Sequence, residues 1–205
     1  MATQRFMFMQ KRVTWLRNAM LPSRFSPTGL YSDRIHQRTA AFRLLVHAEF
    51  ESYLEDAVLS HVHARCALWR ANRTPSITLA ALVAYDEIEG RPPTSILNPP
   101  QKPSKLFEER LQEALTRFNS RVRNVNHGVR EMNVLRMVLP AGMDASTLDT
   151  TWLATLDAWA QERGDLAHQS SGKVGLKLDP GREYATAKSL VGGFKTLDGQ
   201  ITKLP

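Results

Sequence analysis

One uninterrupted helical pattern constrains the fold of this chain more than any other feature. Between Tyr31 and Asn72 the sequence contains neither glycine nor proline, and apolar residues recur at helical spacing. This pattern predicts one long helix whose apolar stripe other helices must cover, because each large side chain removed from water contributes about 1.5–3 kcal/mol. The residues expected to face inward are Ile35, Phe42, Val46, Phe50, Tyr53, Ala57 and Leu68.

Shorter segments with the same periodicity predict helices elsewhere. The sequence has no strand-like alternation of useful length, internal repeat, Walker motif, dinucleotide glycine motif or nucleophile elbow. With 205 residues, 42% of them hydrophobic, the chain can bury one sizeable core, which predicts a single all-α helical bundle over residues 1–205. Further helices are expected over residues 1–20, 104–125 and 129–139, after Asp149 or Thr150, and after an Asp179 N-cap, the last weakened by Gly192 and Gly193.

Residues 1–30 combine a basic helix with a turn. The first 24 residues contain arginine and lysine but no acidic residue, a pattern that overlaps with organelle transit peptides. A regular apolar stripe favours a folded amphipathic helix instead, with binding to a membrane surface as the alternative. The stripe consists of Phe6, Met9, Val13, Leu16 and Met20.

A proline-rich segment covers residues 84–104 and cannot sustain a helix. An irregular connection of this length is typical of a passive spacer with polyproline-like stiffness, and a binding loop or lid is the alternative. Ser104, at its end, offers an N-cap for the next helix.

Charge and cysteine content restrict the partners and the compartment. The chain has 27 Lys and Arg residues against 20 Asp and Glu residues, a formal net charge of +7, which is compatible with an RNA or DNA partner. The single cysteine, Cys66, excludes an intrachain disulfide and a cysteine-based zinc site, and is interpreted as core filling in a reducing, cytoplasmic protein. No apolar run is long enough to cross a bilayer, so no membrane partner is expected.

Arginines occupy the polar side of the helix predicted over residues 104–125. Acidic residues become fewer toward its end, so this face can track an RNA phosphate backbone, with a solvated arginine face as the alternative. The residues assigned to RNA binding are Arg117, Arg121, Arg123 and Arg130, in a stripe that also includes Arg110 and Arg136.

Histidines on the long helix do not indicate a metal site. His47 and Glu51 are one helical turn apart, as two metal ligands can be, whereas His61 and His63 point to nearly opposite sides. Ordinary pairing between residues i and i+4 explains the nearby carboxylates equally well. Neither a metal nor a cofactor is therefore predicted.

The stretch from Gln161 to His168 places a permanent cation and a titratable imidazole together. It continues the helical rhythm of Trp152, Leu156 and Trp159, which leads to Arg163 one turn later. Gly164 follows at once and predicts that the helix stops, frays or bends there. The alternative is that Arg163 pairs with a neighbouring carboxylate and His168 is one of six ordinary histidines.

Two other stretches precede this one in the chain, at residues 41–54 (AFRLLVHAEFESYL) and 126–135 (NHGVREMNVL). Together with the Arg163-x-x-x-x-His168 pattern they resemble the HEPN superfamily of all-α ribonucleases, in its RiboL-PSP-HEPN-like branch. The resemblance covers about residues 35–170. Many members carry a polar residue directly after the arginine, where this chain has Gly164, and Asp165 one position later is assigned no role.

The resemblance implies a metal-independent endoribonuclease that cleaves RNA by attack of the ribose 2′-hydroxyl. Arg163 would bind the scissile phosphate and His168 would transfer the proton. Because one imidazole cannot act at both ends of the reaction at once, the resemblance also implies a homodimer with facing motifs. A toxin or antiviral defence role, with an antitoxin protein as a partner, is a further implication.

Two alternatives belong to other functional classes. The fold can serve as a non-catalytic RNA- or partner-binding module, which would bind RNA with steep salt dependence and leave it intact. A DNA-binding regulator would instead retain duplex DNA sequence-selectively, although no compact helix-turn-helix signature is present.

Overall fold

The structure, a computed structural model, describes residues 2–86, 106–168 and 177–205, and for residues 162–168 it describes the helical backbone alone. The prediction of an all-α bundle is confirmed, and the described residues contain no strand. The α-helices are α1 (Gln4–Met20), α2 (Asp33–Asn72), α3 (Ile77–Ala84), α4 (Phe107–Asn124), α5 (Glu131–Val138), α6 (Thr150–His168) and α7 (Pro180–Lys203), with a short 3₁₀ helix at Ala145–Thr147.

Helix α2 is the centre of the bundle and contacts each of the other six α-helices described above. Its predicted inward residues Phe42, Val46, Phe50 and Tyr53 are fully buried, and Ile35 and Ala57 are partly buried. The prediction for Leu68 is wrong, because this side chain is 41% exposed. Near the end of α2 the inward positions are Val62 and Cys66, and Leu68 lies about 200° around the helix from Cys66.

Helix α1 runs antiparallel to α2 and is held by two ion pairs. Arg5 Nε lies 2.8 Å from Asp56 Oδ2, and Arg12 Nε lies 3.0 Å from Glu49 Oε1. From the first pair to the second, the residue number rises by seven on α1 and falls by seven on α2. The two helices therefore run in opposite directions. The predicted stripe of α1 is buried at Phe6, Met9, Val13 and Leu16, with Met20 packed at its edge.

A buried carboxylate joins both ends of the chain to the centre. Asp198 on α7 accepts hydrogen bonds from the Tyr53 hydroxyl at 2.9 Å and from the backbone N–H and hydroxyl of Thr3 at 2.8 and 2.6 Å. The Thr3 hydroxyl also accepts the Phe6 N–H, which caps α1. Burial, with Asp198 adding to it, raises the pKa of Tyr53, so the phenol remains a donor to Asp198.

The helix boundaries depart from the sequence predictions near the proline-rich segment. Helix α4 begins at Phe107 rather than after a Ser104 cap, and Glu109 accepts the Leu106 N–H at 3.0 Å. Helix α5 is shorter than predicted, and α3, capped by Ser76, was not predicted. Ser104 and all but residues 84–86 of the proline-rich segment lie outside the described residues.

Cys66 is fully buried, as its interpretation as core filling requires, and burial raises the pKa of its thiol. In the part of the chain that the structure describes, no helix is both long enough and apolar enough to cross a bilayer.

The two glycines of α7 have opposite surroundings. A Cβ on Gly193 would lie 2.1 Å from Trp152 Cδ1, whereas a Cβ on Gly192 would meet no atom within 4 Å. The Trp152 ring is buried, and its Nε1 donates a hydrogen bond to the Leu190 carbonyl at 3.1 Å, so it cannot simply turn away. Gly193 therefore lets α6 approach α7, and does not merely weaken the helix.

We expect Gly193→Ala to lower the free energy of unfolding by about 1–3 kcal/mol, because the new methyl group overpacks the Trp152 contact. The matched control, Gly192→Ala, should leave stability unchanged or raise it by up to about 1 kcal/mol, because alanine favours the helix. Urea denaturation of both variants measures the difference. Equal effects of the two substitutions would contradict this packing.

Candidate functional site

Helix α6 carries the residues predicted to be catalytic. It begins after Asp149, whose Oδ1 accepts the Trp152 N–H at 3.0 Å, and this confirms the predicted start. The predicted apolar stripe is also confirmed, since Trp152, Leu156 and Trp159 are all buried. The next position of the stripe is Arg163, in the last part of the helix.

Of the three outcomes predicted at Gly164, namely that the helix stops, frays or bends, the stop is wrong, because α6 continues to His168. A glycine inside a helix costs only about 1 kcal/mol relative to alanine, and Arg163, Leu166 and Ala167 nearby are good helix formers. In a continuous helix, positions 163 and 168 lie about 140° apart around the axis. The side chains of Arg163, Asp165 and His168 lie outside the described residues, so the roles assigned to Arg163 and His168 stay predictions.

A buried ion pair contacts Trp159, which lies on α6 one helical turn before Arg163. Arg43 Nε on α2 is 2.8 Å from Glu183 Oε2 on α7, and the two side chains are only 4% and 6% exposed. Trp159 of α6 completes the cluster: its indole Nε1 donates to Glu183 Oε2 at 3.3 Å, and the Arg43 guanidinium carbon lies 5.6 Å from its ring centroid. Three helices thus meet at one charged contact.

His47 extends this cluster toward the turn between α4 and α5. Its buried ring stacks on Trp159 with centroids 6.1 Å apart and an angle of 21°, and its Nδ1 lies 3.9 Å from Glu51 Oε2. Glu51 in turn accepts a hydrogen bond from the Gly128 N–H. Gly128 has φ +97°, a left-handed conformation that favours glycine, so the turn can present its N–H to Glu51.

Asp157 of α6 caps α5 on the other side of the same turn. It accepts the Glu131 N–H at 3.0 Å and pairs with the Arg130 guanidinium at 3.1 and 3.2 Å. The hydrogen bond from Arg130 holds the pKa of Asp157 below its ordinary value, while partial burial opposes it. The turn itself is closed by the buried amides of Asn126 and Asn133, which bond to each other at 3.0 Å.

Three of the four arginines assigned to RNA binding pair with carboxylates in the structure. Arg117 Nε is 2.7 Å from Asp86 Oδ1, and the half-exposed Arg123 pairs with Glu55 and Asp56 at 3.2 and 3.0 Å. Arg130 pairs with Asp157, and Arg121 lines a cavity at the end of α4. Their role in RNA binding stays a prediction.

Local contacts explain the positions of His61 and His63. His61 Nε2 lies 2.9 Å from Thr78 Oγ1, and burial, with a smaller effect of Arg65, lowers its pKa to about 4. His63 Nε2 lies 3.0 Å from Asn119 Oδ1, and His127 is exposed in the turn after α4. Across the described residues, no group of three or more His, Cys, Asp or Glu side chains could hold a metal ion.

Sequence reasoning did not assign Arg43, Glu183 or Asp157 to the site. A signal existed for the first two, because Arg43 lies one turn before the buried Val46 and Glu183 lies one turn before the buried Ala187. Charged residues on an apolar face indicate a buried pair. The partners could not be matched from sequence, since they are on different helices.

Comparisons with protein-family models, with curated proteins and with solved structures found no match to this chain.

We expect Arg43→Met or Glu183→Leu to lower the free energy of unfolding by about 3–5 kcal/mol, because each leaves one buried charge without its counter-charge. The double variant Arg43→Met with Glu183→Leu should recover most of this loss, since no lone charge remains buried. Urea denaturation of the two single variants and the double variant gives the coupling free energy between Arg43 and Glu183.

The control for this cycle is Arg12→Met, which breaks the more exposed pair with Glu49 and should cost about 1 kcal/mol or less. Additive losses in the Arg43 and Glu183 double variant would show that the two charges are not coupled.

Proposed function

We propose that this protein is a metal-independent endoribonuclease of the HEPN type. In this proposal Arg163 binds the scissile phosphate, His168 carries the proton, and two copies of the chain face each other to form one composite site. A toxin or antiviral defence role in the cytoplasm, restrained by an antitoxin protein, follows from the same resemblance and is part of the proposal.

The observation that carries the proposal is that the first two stretches on which the resemblance rests converge on α6, the helix that carries the third. Residues 41–54 contact residues 126–135 through the hydrogen bond between Glu51 and Gly128. Residues 126–135 contact α6 through Arg130 and Asp157. His47 and Trp159 stack between the first stretch and α6. Stretches that are far apart in sequence are therefore neighbours around the helix that carries Arg163 and His168.

The residue types suffice for transesterification. The 2′-oxygen bonds to phosphorus as its proton is removed, and the bond from phosphorus to the 5′-oxygen breaks as that oxygen is protonated, which leaves a 2′,3′-cyclic phosphate and a 5′-hydroxyl. Histidine titrates near neutrality and can act in either proton transfer. Arginine remains charged and matches phosphate oxygens with its planar donors, so it can stabilise the charge that builds in the transition state.

The helix geometry favours two copies over one. Positions 163 and 168 lie about 140° apart in a continuous helix, so one helix does not present both positions on the same face. A second copy related by two-fold symmetry would supply the missing partner and a second imidazole.

A non-catalytic RNA- or partner-binding module is the second candidate. The half-exposed ion pairs of Arg123 and Arg130 favour it, because pairs of this kind are worth about 1 kcal/mol or less and these arginines can exchange their carboxylates for RNA phosphates without any catalytic residue. Such a module would bind RNA without cutting it, and its affinity would fall steeply with salt.

We expect the wild-type protein to cleave single-stranded RNA in EDTA and to leave 2′,3′-cyclic phosphate ends. His168→Ala should lower the rate by about 10²–10⁴-fold, because general acid–base help is lost. Arg163→Ala should lower the cleavage rate by about 10²–10³-fold, because the charge that builds in the transition state loses a hydrogen-bond donor. Gel analysis of labelled RNA and of its end groups measures both effects.

The matched controls are His63→Ala and Arg70→Ala, which replace exposed residues on α2 and should keep wild-type activity. Undiminished cleavage by either α6 variant would remove that residue from the site. Loss of cleavage in EDTA would favour a metal mechanism, and binding without cleavage by the wild type would favour the module.

A further inference from the structure

Helix α1 has an aromatic ridge on the side opposite to its buried stripe. Phe8 and Trp15 are each 54% exposed. They are seven residues apart, so they lie about 20° apart around the helix axis and form one line. The buried stripe of α1 packs on α2 and α7, which leaves this line on the outside of the bundle. We call Phe8 and Trp15 the aromatic ridge.

Basic side chains flank the aromatic ridge on both sides. The Arg5 guanidinium carbon lies 5.5 Å from the Phe8 ring centroid, and the Arg12 guanidinium carbon lies 4.8 Å from the Trp15 ring centroid. Carboxylates of α2 pair with both arginines and fix them beside the rings. Lys11 is exposed on the other flank, about 60° around the helix from Phe8. The ridge therefore projects between cations.

Helix α2 extends the apolar surface of the ridge. Leu45 is 41% exposed and lies one turn before Glu49, the partner of Arg12. Because α1 and α2 run in opposite directions, one turn back on α2 is level with about one turn forward on α1, close to Trp15. Removal of these half-exposed side chains from water is favourable, so the surface suits an apolar partner.

The N-terminal segment that forms the ridge carries uncompensated positive charge. The first 32 residues include five basic residues and no acidic one. Lys11 and Arg24 are exposed, and neither has a carboxylate partner among the described residues. Each basic side chain near an anionic lipid surface strengthens binding about fivefold. The partner that suits this surface is therefore anionic outside and apolar beneath.

We propose that α1 docks the protein on an anionic lipid surface. Phe8 and Trp15 insert at the boundary between headgroups and acyl chains, where aromatic side chains are favoured, and Lys11 and Arg12 contact lipid phosphates. The apolar stripe of α1 is buried in the bundle, so docking uses the opposite face. Docking of this kind needs no spanning segment, and none of the described helices is long and apolar enough to supply one.

The shape and chemistry of the ridge favour lipid over other partners of matching charge. A partner helix docks its anchors into a groove, whereas the ridge consists of two projecting rings on one helix. RNA bases stack on open ring faces, and here a guanidinium already lies over each ring. A second copy of the chain would bring the same basic residues together, and these repel each other.

The proposal goes beyond the proposed function, because docking on lipid does not require RNA cleavage. The ridge is on α1 and the residues assigned to cleavage are on α6, so variants separate the two properties. His168→Ala should bind vesicles as the wild type does, and substitutions on the ridge should leave RNA cleavage in solution unchanged.

The test is flotation of the full chain with vesicles of phosphatidylcholine alone and of phosphatidylcholine mixed equally with phosphatidylglycerol. The mixed vesicles should bind the protein about tenfold more tightly or better, because they attract its basic residues. The double variant Phe8→Gln with Trp15→Gln should weaken this binding about tenfold or more through the lost apolar contact. Lys11→Gln should weaken it about fivefold through the lost charge.

The matched controls remove similar side chains elsewhere in the bundle. Leu68→Gln with Tyr85→Gln replaces two large apolar residues that are 41% and 51% exposed, and Arg70→Gln removes an exposed charge from α2. Both should bind mixed vesicles as the wild type does. Glutamine is a good helix former, so circular dichroism should show unchanged folding in all variants.

Four outcomes overturn the proposal. The first is no flotation at about 1 mM lipid, where even a single acyl anchor binds, or equal binding to both kinds of vesicle. The second is a ridge variant that binds like its matched control. The third is a loss of self-association in the double variant, which would make the ridge a contact between copies. The fourth is tighter binding through the ridge to single-stranded RNA or to a synthetic acidic amphipathic helix than to vesicles.

Discussion

The length of α2 is the constraint on which the rest of the structure depends. Its 40 residues extend about 60 Å, and a helix in water gains most of its stability from packing rather than from its own hydrogen bonds. The other six described α-helices all cover part of its surface. Arg43 and His47 lie within its buried stripe, so the helix that organises the core also carries the charged cluster one turn before Arg163.

Fewer of the chain's 27 arginine and lysine side chains are available to a ligand than their number suggests. Arg5, Arg12, Arg123 and Arg130 each pair with carboxylates on a neighbouring helix and thereby fix how the helices align. The pairs of Arg123 and Arg130 are half-exposed, and exposed pairs are worth about 1 kcal/mol or less. A phosphate backbone could therefore exchange with their carboxylates at small cost, whereas it could not compete for the buried Arg43.

Local pattern predicted most of the fold but not the contacts between helices. Periodicity located α1, α2, α4, α6 and α7, because burial of an apolar stripe leaves a direct trace in the sequence. It could not distinguish Gly164, which a continuous helix tolerates, from Gly193, where the Trp152 ring leaves no room for a side chain. The distinction depends on a neighbour that is distant in sequence.

In the candidate site, too, the sequence predicted positions within one helix but not the contacts between helices. The sequence alone placed Arg163 on the helix that bears the buried tryptophans, and the backbone agrees with that position, whereas the continuation of α6 to His168 was not predicted. The pairing of Arg43 with Glu183 could not be predicted, because 140 positions separate two residues that each looked like an isolated charge on an apolar face. Spacing within one helix reveals which face is buried, and only the packed bundle reveals what that face meets.

Subunit mixing tests most directly whether two copies of the chain share one site. Arg163→Ala and His168→Ala proteins are each inactive in this account, but a mixed dimer holds one arginine and one imidazole in the composite site. After partial unfolding and joint refolding, the mixture should recover a measurable part of the wild-type RNA cleavage. A mixed dimer that forms, as shown by two affinity tags, and remains as inactive as its parents would contradict the account.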